Sequence, residues 1–236
     1  CHEMDGYDPG TDTWHSNWNG HGSGSSIADL TDDGKPELIT VDSGHLGTTS
    51  DTVVYRAVFH QGKPVALELL ATLPKPILAT QPWVGAGITG SHDVRVVSFD
   101  FSGDGLNDVV VFSRAWLDAQ NNWPKISAVQ LLENRGNLVF ADVTSTYLSG
   151  FDHASNSPYF PQVRDFDGDD RLDVFIGEAA YDAVNNSHSF LFQGNDGRFV
   201  DTGRDQFNHL LTPNNAAFRG NIALGPDGQW HFVWIG

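Results

Sequence analysis

Three nine-residue acidic boxes, each running straight into an apolar stretch, constrain this 236-residue chain more than any other feature. They read DLTDDGKPE at 29–37, DFSGDGLND at 100–108 and DFDGDDRLD at 165–173. The third packs five aspartates into nine residues. Like charges at that density repel one another unless something cationic sits among them. The boxes begin 71 and 65 residues apart, at 29, 100 and 165. Similar segments recurring at such a spacing point to a repeat architecture, in which each unit buries its apolar face against its neighbours.

The apolar stretches after the boxes are LITV at 38–41, VVVF at 109–112 and VFI at 174–176. Their β-branched and aromatic side chains suit a pleated surface and predict strands. Another extended segment precedes each box, at 24–28, 94–99 and 162–164. About thirty residues after each box comes a pair of apolar runs around a Gly turn: AVFHQGKPVALELL from Ala57, LLENRGNLVFADVT from Leu131 and FLFQGNDGRFVDTG from Phe190. Such a pattern predicts a hairpin with a short loop. Each unit therefore has about four short strands and no helical periodicity. The expected fold class is all-β, a β-propeller of four-stranded blades with the ion-binding loops inside the blades. The units fall at about 20–85, 86–150 and 151–215, with a partial one at 216–236 whose NIALGPDGQWHFVWIG keeps the turn and lacks the acids. Three blades and a fraction do not close a ring of four to eight. Either the first twenty or so residues complete the last blade or further blades lie outside this chain, and the second is the expectation.

Positions 1, 3, 5 and 9 of the boxes carry oxygen side chains. They are Asp29, Thr31, Asp33 and Glu37; Asp100, Ser102, Asp104 and Asp108; and Asp165, Asp167, Asp169 and Asp173. A hard cation that takes six or more oxygens needs such alternating ligands on a tight loop, together with the backbone carbonyl of position 7, here Lys35, Leu106 and Arg171. Gly34 and Gly105 at position 6 permit the turn, and Asp170 in the third box tolerates left-handed backbone better than most residues. An EF-hand opens the same way but requires a bidentate Glu at position 12 and flanking helices. Position 12 is Thr40, Val111 or Ile176, inside an expected strand, so that reading fails.

On these boxes and the Asn/Gly hairpin that ends in Phe-x-Asp, the sequence resembles the FG-GAP or VCBS-type repeats of integrin α-subunit-like propellers, over about residues 20–236. The resemblance implies a seven-bladed ring, calcium as the ion (about three sites here) and an extracellular or cell-surface setting. Calcium then acts chiefly as a staple for loop geometry, and its removal leaves carboxylates facing one another.

The formal net charge of −17, with 13 Lys and Arg, argues against nucleic-acid binding. No apolar run approaches the ~20 residues of a membrane span. The single cysteine, Cys1, excludes an internal disulfide; at position 1 it suits either a lipid-anchored lipoprotein or a processing boundary. For ligand binding, Trp14 and Trp18 lie in an Asn- and His-rich segment, and Trp116 and Trp123 in the long loop at 114–125. Such rings stack on sugars, and long loops carry function. The resulting expectation is a non-catalytic, calcium-stabilised recognition module of a secreted or surface protein, binding a carbohydrate or protein through loops on one face, as in cell adhesion. The rival is an enzyme similar to rhamnogalacturonan lyases that use propellers, with His21, His92 or His153 as the base at a channel mouth. A third reading is a spacer inside a large adhesin.

Overall fold

The computed structural model of the chain describes residues 7–8, 13–14, 22–42, 52–75, 88–117, 126–151, 158–178, 189–201, 219–226 and 230–235. Its elements are strands with one helical turn. After the short pair β1 (Tyr7–Asp8) and β2 (Thr13–Trp14), a first sheet forms from β3 (Gly22–Ala28), β4 (Glu37–Asp42), β5 (Val53–His60) and β6 (Lys63–Thr72) in sequential order. A second sheet repeats that meander with β7 (Ile88–Phe99), β8 (Asp108–Leu117), β9 (Ile126–Asn134) and β10 (Phe140–Asp142). The turn α1 (Thr144–Tyr147) follows, then β11 (Leu148–Ser149). The third sheet uses β12 (Pro158–Arg164), β13 (Asp173–Glu178), β14 (Ser189–Gln193) and β15 (Phe199–Asp201). The last strands, β16 (Arg219–Leu224) and β17 (Trp230–Ile235), pair antiparallel. None of these sheets closes on itself.

The strands expected on both sides of each box are present, with longer upstream partners than the pattern indicates. Two features depart from a plain four-stranded repeat. α1 breaks the run of strands, and β11 joins the third sheet as a fifth strand, parallel to β15. Two-residue strands carry too little periodicity to be read from sequence, and this one lies in a segment that precedes its own sheet. β1 and β2 pair with each other among the described residues.

The middle sheet explains why VVVF at 109–112 is apolar without alternation. Val109 and Val111 pack with Leu30, Ile39, Val41, Val54 and Leu73 of the first sheet. Val110 and Phe112 face the other way, into a core with Val174, Ile176, Leu191 and Phe199 of the third. Successive side chains in a strand point to opposite faces, so a sheet covered on both faces needs an unbroken apolar run. Each fully buried side chain of this kind contributes about 1.5–3 kcal/mol. On the far face of the third sheet, Phe175 sits opposite Phe190 on the neighbouring strand, with centroids 4.8 Å apart. The opening strands of consecutive sheets also touch: β3 against β7, β7 against β12, and β12 against β16. The boxes are thus the β3–β4, β7–β8 and β12–β13 connections, all made by the same corner of a repeated sheet.

Candidate functional site

Each box folds in the same way. The position-1 aspartate turns back on its own loop and accepts backbone N–H groups with both oxygens. Asp29 Oδ2 accepts from Gly34 at 2.7 Å, Asp100 Oδ2 from Gly105 at 2.9 Å and Asp165 Oδ2 from Asp170 at 3.0 Å. The position-5 aspartate accepts the position-7 N–H at 2.9 Å in all three boxes, from Lys35 to Asp33, Leu106 to Asp104 and Arg171 to Asp169. Desolvation pushes the Asp165 carboxyl up, but the N–H donors of Gly168, Asp170, Asp169 and Asp167 together outweigh it, and the net shift is downward.

This looping requires left-handed backbone at two places. Position 6 has φ of 77° at Gly34, 92° at Gly105 and 67° at Asp170, as the sequence pattern implies. Position 4 is also left-handed, at Asp32, Gly103 and Gly168. That requirement was hidden, because Asp32 is not a glycine. A Cβ at Gly105 would meet nothing within 4 Å. Gly105→Ala therefore tests backbone strain alone, and urea denaturation in EDTA is expected to show a loss of about 1–2 kcal/mol.

The position-9 acid has a different environment. Glu37, Asp108 and Asp173 are all fully buried where the box enters its second strand. Asp108 Oδ2 accepts from the N–H groups of Phe101 at 3.0 Å and Ser102 at 2.9 Å, while Oδ1 accepts from Asn134 at 2.8 Å. Asp173 repeats this with Phe166 and Gln193, both at 2.9 Å. Glu37 accepts from Leu30 at 2.9 Å. Desolvation raises the Asp108 carboxyl against those hydrogen bonds. Desolvation also raises Asp173, and the charges of Asp167 and Asp169 add to it. A cation beside Asp173 would relieve that repulsion.

The three boxes differ in which cations are already present. Ligand oxygens of Asp165, Asp167 and Asp173 lie within 4.8 Å of one another. Carboxylates from the two ends of the loop thus come close together, an arrangement that could supply part of a hard cation's oxygen ligands. Asp169 is drawn into an ion pair with Arg171, whose guanidinium is also anchored on Gln193 O at 2.9 Å and Asn195 Oδ1 at 2.8 Å. In the second box no cationic side chain among the described residues pairs with Asp100, Asp104 or Asp108. In the first, Arg56 of β5 donates to Thr31 Oγ1 at 3.1 Å and to Glu37 Oε1, and stands 3.1 Å from Asp33 Oδ2. The Glu37 hydrogen bond is the largest cause of a further rise in the Arg56 pKa, so the guanidinium stays charged.

Two amides outside the boxes tie them together. Asn134 ends β9 and donates its side-chain N–H to Leu30 O of the first box at 2.9 Å and to Asn107 O at 3.0 Å. Gln193 ends β14 and donates to Phe101 O of the second box at 2.7 Å. Their signal was an amide closing an apolar run just before a Gly turn, in LLENRG and FLFQG.

Other candidates fall outside this geometry. His92 lies on β7, where its backbone pairs with Arg114 of β8. Trp14 lies on β2 and Trp116 on β8, as backbone positions alone. His21, His153, Trp18 and Trp123 lie outside the described residues.

Three sheets of one design, each with an acidic box between its first two antiparallel strands, define a β-rich repeat protein. Residues 100–176, which contain the second and third boxes, match the FG-GAP-like repeat family. No curated protein matches the chain.

Proposed function

We propose that this chain is a calcium-stabilised β-propeller module whose sheets are blades, with units at about 20–85, 86–150, 151–215 and 216–236. Convergence of Asp165, Asp167 and Asp173 carries the reading. Oxygen side chains at positions 1, 3, 5 and 9, with the carbonyls of Leu106 and Arg171, would complete the coordination in the second and third boxes. Calcium takes six to eight such oxygens and tolerates the irregular geometry of a loop. The staple suits a secreted or surface setting, since extracellular modules bind at about 10⁻⁴–10⁻³ M. Recognition of a carbohydrate or protein then falls to loops on one face; residues 114–117, expected in a loop, belong to β8, so Trp116 stands near the end of that strand and Trp123 in the segment that follows it. Among the described residues no helix is long and apolar enough to cross a membrane.

A melting curve in calcium and in EDTA tests the reading. One site filled at a hundred times its dissociation constant adds about 2.7 kcal/mol. For a chain of this size that corresponds to roughly 5–10 °C. A melting temperature unmoved by chelation would sink the calcium staple. Binding on a glycan array that is lost in a Trp116→Ala, Trp123→Ala double variant with unchanged melting would support recognition through the end of β8 and the segment after it.

A further inference from the structure

The first box does not fit an ion as the third does, where Asp165, Asp167 and Asp173 converge. Arg56 follows Tyr55, the residue paired with Leu38 just after the box. The equivalent positions in the other sheets follow Leu132 and Leu191, and they are Glu133 and Phe192. A base at that place is therefore particular to the first sheet. Its guanidinium contacts Thr31, Asp33 and Glu37, the side chains of positions 3, 5 and 9. Those are three of the four side-chain oxygens that an ion would require. In the third box, by contrast, Arg171 pairs with one box carboxylate, Asp169, and leaves Asp165, Asp167 and Asp173 converging.

A guanidinium is a planar fork of N–H donors that stays charged throughout the accessible pH range. Calcium needs the same oxygens at about 2.3–2.6 Å, which would set a doubly charged ion directly against the guanidinium. We infer that Arg56 is the built-in cation of the first box, standing where the ion would stand, so that this box takes no calcium while the second and third do. The inference rests on the calcium reading for those two boxes. It divides the module into a first sheet closed by its own side chain at any calcium concentration and later sheets that depend on the ion.

The test is the difference in ion count, by equilibrium dialysis with radioactive calcium or by native mass spectrometry, between the chain and its Arg56→Gln variant. The variant is expected to bind one calcium ion more than the parent. Equal counts, or a parent with all three boxes filled, would overturn the inference. A parent that binds none beside a variant that binds one would keep Arg56 as the internal cation and reject calcium in the other boxes, so the two readings fail separately. If Arg56→Gln does not fold, Asp104→Ala combined with Asp167→Ala gives the same answer from the other side. Both residues are exposed and the first box is left intact. That double variant is expected to lose all calcium binding, and one ion retained would overturn the inference.

Discussion

Phe199→Ala is expected to lower the unfolding free energy by about 3–5 kcal/mol, the range for removing a fully buried phenylalanine. Phe199 has no exposed surface, although its strand β15 is three residues long. Its ring meets Phe99 edge-on at 6.4 Å and Phe101 at 6.2 Å, and Phe101 in turn meets Tyr147 at 5.5 Å. Edge-to-face pairs add about 0.5–1.5 kcal/mol each beyond the area they bury. The two phenylalanines belong to the second sheet, so the substitution opens the seam between the second and third sheets rather than one sheet alone. Urea denaturation followed by tryptophan fluorescence measures the change, and a loss under 1 kcal/mol would refute the packing described here.

Asp108→Ala is expected to cost about 3 kcal/mol or more, even in EDTA. The carboxylate is fully buried and accepts from three backbone N–H groups, those of Phe101, Ser102 and Asn134. A buried donor left without a partner costs about 1–3 kcal/mol, and desolvation of the carboxylate itself offsets part of the total. Asp104→Ala serves as the comparison. It removes another acid of the same box, but an exposed one that accepts the Leu106 N–H. In EDTA the Asp108 variant should be much the less stable of the two. Equal stabilities would mean that position 9 matters only as a ligand, not as the anchor of the loop.

That contrast bears on how far the site could be read in advance. Alternate oxygens in the boxes and strands after them were legible, because a tight turn followed by β-branched residues leaves few other folds. Oxygen side chains at positions 1, 3, 5 and 9 could be picked out from the pattern, but their unequal surroundings could not. Burial of Glu37, Asp108 and Asp173 depends on the neighbouring strand closing over them, and a local motif carries no trace of that. Arg56 lies nineteen positions from Glu37. Nothing but strand register brings the two side by side, so a reading by motif assigns the first box the same ion as the others. Left-handed backbone at Asp32 was likewise masked by a residue that is not glycine. The fifth strand of the third sheet was invisible for a simpler reason, since Leu148–Ser149 is too short to show alternation.

The grips made by Asn134 and Gln193 point one way along the chain. Asn134 holds a carbonyl of the first box, and Gln193 a carbonyl of the second. Each later sheet reaches back to a loop synthesised before it, and the acceptor it needs is in place when its own amide emerges. Because a chain emerges from its N-terminal side during synthesis, each carbonyl acceptor is made before the amide that takes it. Growth by addition of repeats at the C-terminal end then needs no change in the repeats already made.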